Sequence, residues 1–74
     1  MLKKLNWEDS NADEIGKFLR TLMDESGWSI TDVERLLKVE RSTVTRWISG
    51  NRKMPYASMT LLWVKYKNPE LSLD

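Results

Sequence analysis

Seventy-four residues with no cysteine and no histidine leave no disulfides and none of the usual zinc ligands. So short a chain makes one small domain with little core to spare, held by packed elements and, where those are thin, by a partner subunit. The net charge is only +1, no run approaches the roughly 18 apolar residues of a membrane span, and Glu8 and Asp9 interrupt any leader-like apolar core after Trp7. The expectation is a cytoplasmic protein with no membrane partner.

The charge is unevenly placed. Residues 1–34 carry four cations against eight carboxylates, a balance of −4, whereas residues 35–53 carry six cations against Glu40 alone, a balance of +5. Positive charge concentrated in one stretch is the footprint expected of a nucleic-acid contact.

Residues 1–10 form an N-terminal arm. Leu2, Leu5 and Trp7 stand among Lys3, Lys4 and Asn6, so the arm is expected to dock as a short extended segment rather than trail in solvent as many termini do. An arm lying in a DNA minor groove is the rival use, which Glu8 and Asp9 disfavour. A first helix is predicted over Ala12–Glu25, capped by Ser10 or Asn11 with Asp13 or Glu14 at the third position. Ile15, Phe18, Leu19, Leu22 and Met23 recur at helical spacing and read as core. Gly27 ends this helix.

Two shorter helices follow across a tight turn. Ile30, Val33, Leu36 and Leu37 share one face of the first, Ile30–Leu37; Val44, Trp47 and Ile48 share one face of the second, Arg41–Ser49. Ser29 caps the first with Asp32 at its positive end, and Gly50 closes the second. With the apolar set inward, Arg41, Ser42, Thr45, Arg46 and Ser49 share the outward face, which holds no carboxylate. Such a face can fork two donors onto guanine N7 and O6 and lay hydroxyls against other base edges or phosphates. On composition alone a solvated helix face is the commoner meaning. The short turn shifts the balance, because it can hold two helices at the steep angle of a helix-turn-helix. The basic loop Asn51, Arg52, Lys53 is either an ordinary polar turn or a phosphate clamp.

The last helix is predicted from Pro55, a residue suited to a first helical turn, to Lys65 or Tyr66. It has two apolar faces, and a small domain needs only one for its core. Met54, Ala57, Leu61 and Val64 are assigned to that core. Met59, Leu62, Trp63 and Tyr66 are assigned to a two-fold homodimer interface, with cover by the arm or the tail as the alternative. Asn68 and Pro69 stop the helix, leaving a tail over residues 69–74 in which Leu71 and Leu73 would dock. The body of the domain is thus residues 11–68, and the fold class is all-α with four or five helices.

The stretch LLKVERSTVTRWISGNRKMP resembles the helix-turn-helix of the Cro/lambda-repressor (XRE-type) DNA-binding domains. Those read as a leucine pair, a turn, a Ser/Thr-rich recognition helix, a Trp or Leu three residues after a Val or Ile, then glycine and a basic loop. The resemblance extends over residues 15–66 and implies a lambda-repressor-like fold. It also implies base reading by Arg41, Ser42 and Arg46, with Thr45 beside them, and phosphate contacts by Thr43, Asn51, Arg52 and Lys53. The chain departs from the pattern at Glu34 (usually Ala), Lys38 (usually Gly), Glu40 (usually a Ser or Thr cap) and Ile30, where a Gln often donates to phosphate. Ser29 or Thr31 would then take that last contact.

What the resemblance implies is a sequence-specific double-stranded DNA-binding regulator. It would be a homodimeric repressor on a near-palindromic operator, blocking polymerase at a promoter and acting on its own operon, as small phage Cro proteins do. Repressors encoded beside anti-CRISPR genes are also small single-domain proteins of this type. The competing reading is an antitoxin-like or adaptor module of the same fold that binds protein. An enzyme is not expected, because the carboxylates fall at helix N-termini and on solvent faces, and no Gly-rich phosphate loop is present. No cofactor, metal or small-molecule ligand is expected in a chain with so little room for a pocket.

Overall fold

The computed structural model describes residues 2–71. A capping box sets the start of helix α1 (Ala12–Ser26): Asn11 Oδ1 accepts from the Glu14 amide at 2.8 Å, and the Glu14 carboxylate accepts from the Asn11 amide at 3.0 Å. Ser10, the alternative cap, is buried instead and donates its hydroxyl to the Asn6 carbonyl at 2.8 Å. The expected stripe of Ile15, Phe18, Leu19, Leu22 and Met23 is buried in full, and Gly27 closes the helix in the left-handed conformation at φ 73. Helices α2 (Ile30–Leu37), α3 (Arg41–Ser49) and α4 (Tyr56–Lys67) follow, with a 3₁₀ turn at Trp7–Asp9 ahead of α1. The fold is all-α, with no strand among the described residues.

Helix α3 packs on α1 and α2, and its seat on α1 is Gly16. A Cβ at Gly16 would lie 2.4 Å from the Trp47 carbonyl oxygen and 2.8 Å from that of Ile48. Helix backbone therefore meets helix backbone at a point where no side chain fits. That approach brings Val44 and Trp47 into the core beside Ile15, Leu19 and Val33. At the far end of α3, Gly50 (φ 83) turns the chain out against Asp13.

The turn between α2 and α3 is made by Lys38, whose φ of 55 and ψ of 48 place a non-glycine residue in the left-handed region. For an L-residue this costs on the order of 1–2 kcal/mol. The Lys38 amide and the Val39 amide, the latter at 3.2 Å, both donate to the Glu34 carbonyl and so terminate α2. Glu40 occupies the cap position of α3 without a side-chain hydrogen bond.

Helix α4 corrects the sequence reading. Met59 and Leu62, expected at a dimer interface, are completely buried in the chain's own core. Trp63 lies half-buried on Phe18, ring centroids 6.0 Å apart, with Tyr66 at 5.3 Å. Tyr66 is half-buried and donates its hydroxyl to the Glu25 carboxylate at 2.7 Å. The opposite face, assigned to the core, looks outward: Ala57 is exposed, Leu61 is 44% exposed and Val64 is half-buried. Only Met54, just ahead of the helix, is buried as expected. The reason is that α4 is apolar nearly all round, so its own periodicity does not distinguish inside from outside. The packing of α4 on α1, where Phe18 meets Trp63, decides which face turns in.

The N-terminal arm docks as expected, with Leu2, Leu5 and Trp7 against the core. Its anchors are the Trp7 indole N–H, which donates to the Met54 carbonyl at 2.7 Å, and the Leu2 amide, which donates to the Tyr66 hydroxyl at 3.4 Å. After α4 the chain turns at Asn68, and the Lys65 ammonium donates to the Pro69 and Leu71 carbonyls. Leu71 is 38% exposed and so does not dock as anticipated; Leu73 lies outside the described residues.

Gly16→Ala should therefore lower stability by at least the ~1–3 kcal/mol typical of overpacking, since backbone oxygens cannot swing aside as side chains do. A shift in the urea midpoint reads this directly; an unchanged midpoint would show that the two helices are not in backbone contact.

Candidate nucleic-acid interface

The outward face of α3 carries Ser42, Thr45, Arg46 and Ser49, all exposed, together with Arg41 at the helix start. Arg46 and Ser42 have side chains with no hydrogen bond or ion pair among the described residues. Thr45 and Ser49 return their hydroxyl protons to the helix, to the Ser42 carbonyl at 3.0 Å and the Arg46 carbonyl at 3.1 Å. Their oxygens keep lone pairs that can accept from an adenine or cytosine amino group. With Glu40 making no cap bond, the amides of Arg41 and Ser42 also stay unpaired at the positive end of the helix, where anions are favoured. The sequence signal for these open amides was the missing Ser or Thr at position 40.

Arg41 differs from Arg46. Its Nη2 donates to the Thr31 hydroxyl at 3.0 Å and its Nε lies 3.7 Å from the Glu34 carboxylate, so two side chains of α2 hold it. The guanidinium was expected to stand free, and Thr31 was expected to face phosphate. The structure joins the two instead, with the side chain of Arg41 still 59% exposed.

Ser29 is also differently employed. Its amide and its hydroxyl both donate to the Asp32 carboxylate, at 2.9 and 3.1 Å, and its oxygen accepts from the Asp32 amide at 3.2 Å. Neither donor is left for a phosphate, which corrects the expected contact. The Ser29 amide, then its hydroxyl, hold the Asp32 carboxyl below its usual value and keep it anionic.

Beyond α3 the loop is drawn back onto the helix end. The Gly50, Asn51 and Arg52 amides all donate to the Arg46 carbonyl, the last two at 3.0 and 3.3 Å. The Asn51, Arg52 and Lys53 side chains are exposed, and Thr43 on α3 is half-buried. The Lys53 ammonium sits 3.9 Å over the face of Trp7, a cation–π contact that keeps the charge while restricting its position. Trp7 also meets Tyr56 edge-on at 5.8 Å. The sequence reading did not connect the arm with this loop. The indole is three-point placed: it donates to Met54, packs on Tyr56 and supports Lys53.

Two packed helices joined by the short turn 38–40, with a positive outward face on the second and a basic loop after it, are the arrangement of a helix-turn-helix. A family model described as a helix-turn-helix domain matches residues 14–62, about two thirds of the chain. The chain belongs to the helix-turn-helix family, and its domain is that of a DNA-binding regulator. No curated protein and no solved structure matches the chain significantly. No helix among the described residues is long and apolar enough to cross a membrane.

Trp7→Phe keeps a ring beneath Lys53 but leaves the buried Met54 carbonyl without its donor. The expected loss is ~1–3 kcal/mol of stability, the usual cost of orphaning a buried acceptor, read by chemical unfolding. A variant as stable as the wild type would mean that the arm contributes packing alone.

Proposed function

We propose that the protein is a sequence-specific double-stranded DNA-binding transcriptional repressor of the Cro/lambda-repressor type. It binds as a homodimer to a near-palindromic operator and acts by occluding a promoter, its own operon included. It is not an enzyme and uses no cofactor. The observation that carries this reading is the outward face of α3, where Ser42, Thr45 and the unpaired Arg46 stand exposed with no carboxylate among them. Arg41, Ser42, Thr45 and Arg46 read base edges; Thr43, Asn51, Arg52 and Lys53 contact the backbone and set the register.

The size of the domain supports the dimeric reading. A body of 30 × 26 × 20 Å covers few base pairs alone, whereas two copies side by side can place recognition helices about 34 Å apart, one turn of the duplex. With Met59 and Leu62 buried, the surface suited to a second copy is the outward face of α4, Ala57, Leu61 and Val64. An apolar stripe on a helix whose other face already fills a core is the composition expected at a subunit interface.

Arg46→Ala should cost ~1–3 kcal/mol of discrimination at particular base pairs, whereas Arg52→Ala should weaken all sequences and flatten the salt dependence by about 0.9 in log–log slope. Footprinting on DNA upstream of the protein's own gene, then titration of both variants on the protected site, makes the comparison. Equal weakening by both would remove the base-reading role. If purified protein shifted no duplex at all, a protein-binding module of the same fold would replace this reading.

Leu61→Glu should leave a folded monomer with poor operator affinity, because a carboxylate in an apolar interface is left desolvated and unpaired. Sedimentation equilibrium checks it; a dimer that survives the change would place the interface elsewhere.

A further inference from the structure

Arg41 makes two contacts that a helix-turn-helix does not require. Both fall on one edge of its guanidinium, where Nε and Nη2 lie side by side: Nη2 to the Thr31 hydroxyl and Nε toward Glu34 Oε2. Five N–H donors radiate from a guanidinium. On this inner edge Thr31 takes one Nη2 donor and Glu34 attracts the Nε side as an ion pair, so both donors of Nη1 and the other of Nη2 are left for the outer fork. That fork suits the bidentate pairing of arginine with guanine O6 and N7.

We propose that Glu34 is a specificity-determining positioning residue, which with Thr31 fixes the inner edge of Arg41 so that its outer fork is aimed at a guanine before DNA arrives. The inference rests on the reading of Arg41 as a base-contacting residue. A carboxylate beside a DNA-binding surface repels phosphates, so on charge alone Glu34 would weaken binding. Its side chain is only 26% exposed, which limits screening of the pair by salt, while Arg41 at 59% keeps its far edge in solvent. An arginine held in place before binding loses less rotamer freedom on contact. It also follows a mismatched base less readily, so a wrong pair leaves donors unmet. Thr31 serves the same end from the first turn of α2. Glu34 is further tied to the turn, since its own carbonyl accepts the Lys38 and Val39 amides.

This arrangement has an effect of two signs. Removing the carboxylate should leave affinity for random duplex unchanged or raised, while lowering discrimination at the base pair read by Arg41. Sites are selected from a random duplex library with the wild-type protein, and the selected site and its single-pair variants are titrated with wild type, Arg41→Ala, Glu34→Ala, Glu34→Gln and Thr31→Val. Arg41→Ala identifies the base pair concerned. The expected result is a loss of about tenfold in preference at that same pair for Glu34→Ala, within the range of one bidentate contact, without loss of random-duplex affinity. On the free protein, the Arg41 Nε–H should exchange with water more slowly than that of Arg46, and the difference should vanish in Glu34→Ala. Full preference retained in Glu34→Ala, with DNA binding intact, overturns the proposal. So does weakening of all sequences in step with a lowered melting temperature, or equal Nε–H exchange in the wild type. Failure of the wild type to select any site would instead remove the base-reading premise.

Discussion

Helix α3 lies where it does because α1 has no side chain at Gly16. Two carbonyl oxygens of α3 occupy the space a Cβ would need, so the helices meet at backbone distance. This sets the depth to which Val44 and Trp47 sink among Ile15, Leu19 and Val33. The rotation of α3 about its axis follows, and with it which residues face out. Gly50 provides a second close point, against Asp13. An amphipathic helix of nine residues is marginal by itself; both close points lie at its C-terminal end and seat it on α1, with Ser42, Thr45 and Arg46 facing out.

The turn ahead of α3 shows how departures from a family pattern can be absorbed together. Lys38 takes the left-handed conformation that glycine enters more easily, and two amides meeting at the Glu34 carbonyl offset that strain. The Glu34 side chain, too long to pack as alanine would, reaches toward Arg41 instead. The absence of a cap at Glu40 leaves helix amides open on the same side. Together these substitutions keep the turn while altering what surrounds the first residues of the recognition helix.

Much of this was legible in the sequence, for physical reasons that differ from element to element. The α1 stripe, the Ser29 cap and both terminal glycines are local signals, and each appears where its chemistry predicts. Choice of the inward face of α4 is not local, because apolar residues surround the helix and only a neighbour can choose between them. Gly16 carried no signal because its importance lies in what approaches it from residues 47 and 48. Arg41 was placed correctly by period, but its partners lie ten and seven positions back on another helix, beyond the reach of helical spacing. The bond from Trp7 to Met54 spans 47 positions and is invisible to any window of adjacent residues.

The arm joins opposite ends of α4: Leu2 meets Tyr66 near its close, and Trp7 meets Met54 just before its start. Contacts so distant in sequence close longer loops than the turns between the helices do, at a larger entropy cost. A docked terminal segment is also the kind of element that can open locally without unfolding of the whole. Were the arm to open, Lys53 would lose the ring beneath it, while α3 would keep its seat on α1. The placement of Lys53 is thereby coupled to the docking of the arm, separately from the backbone contact that sets α3 on α1.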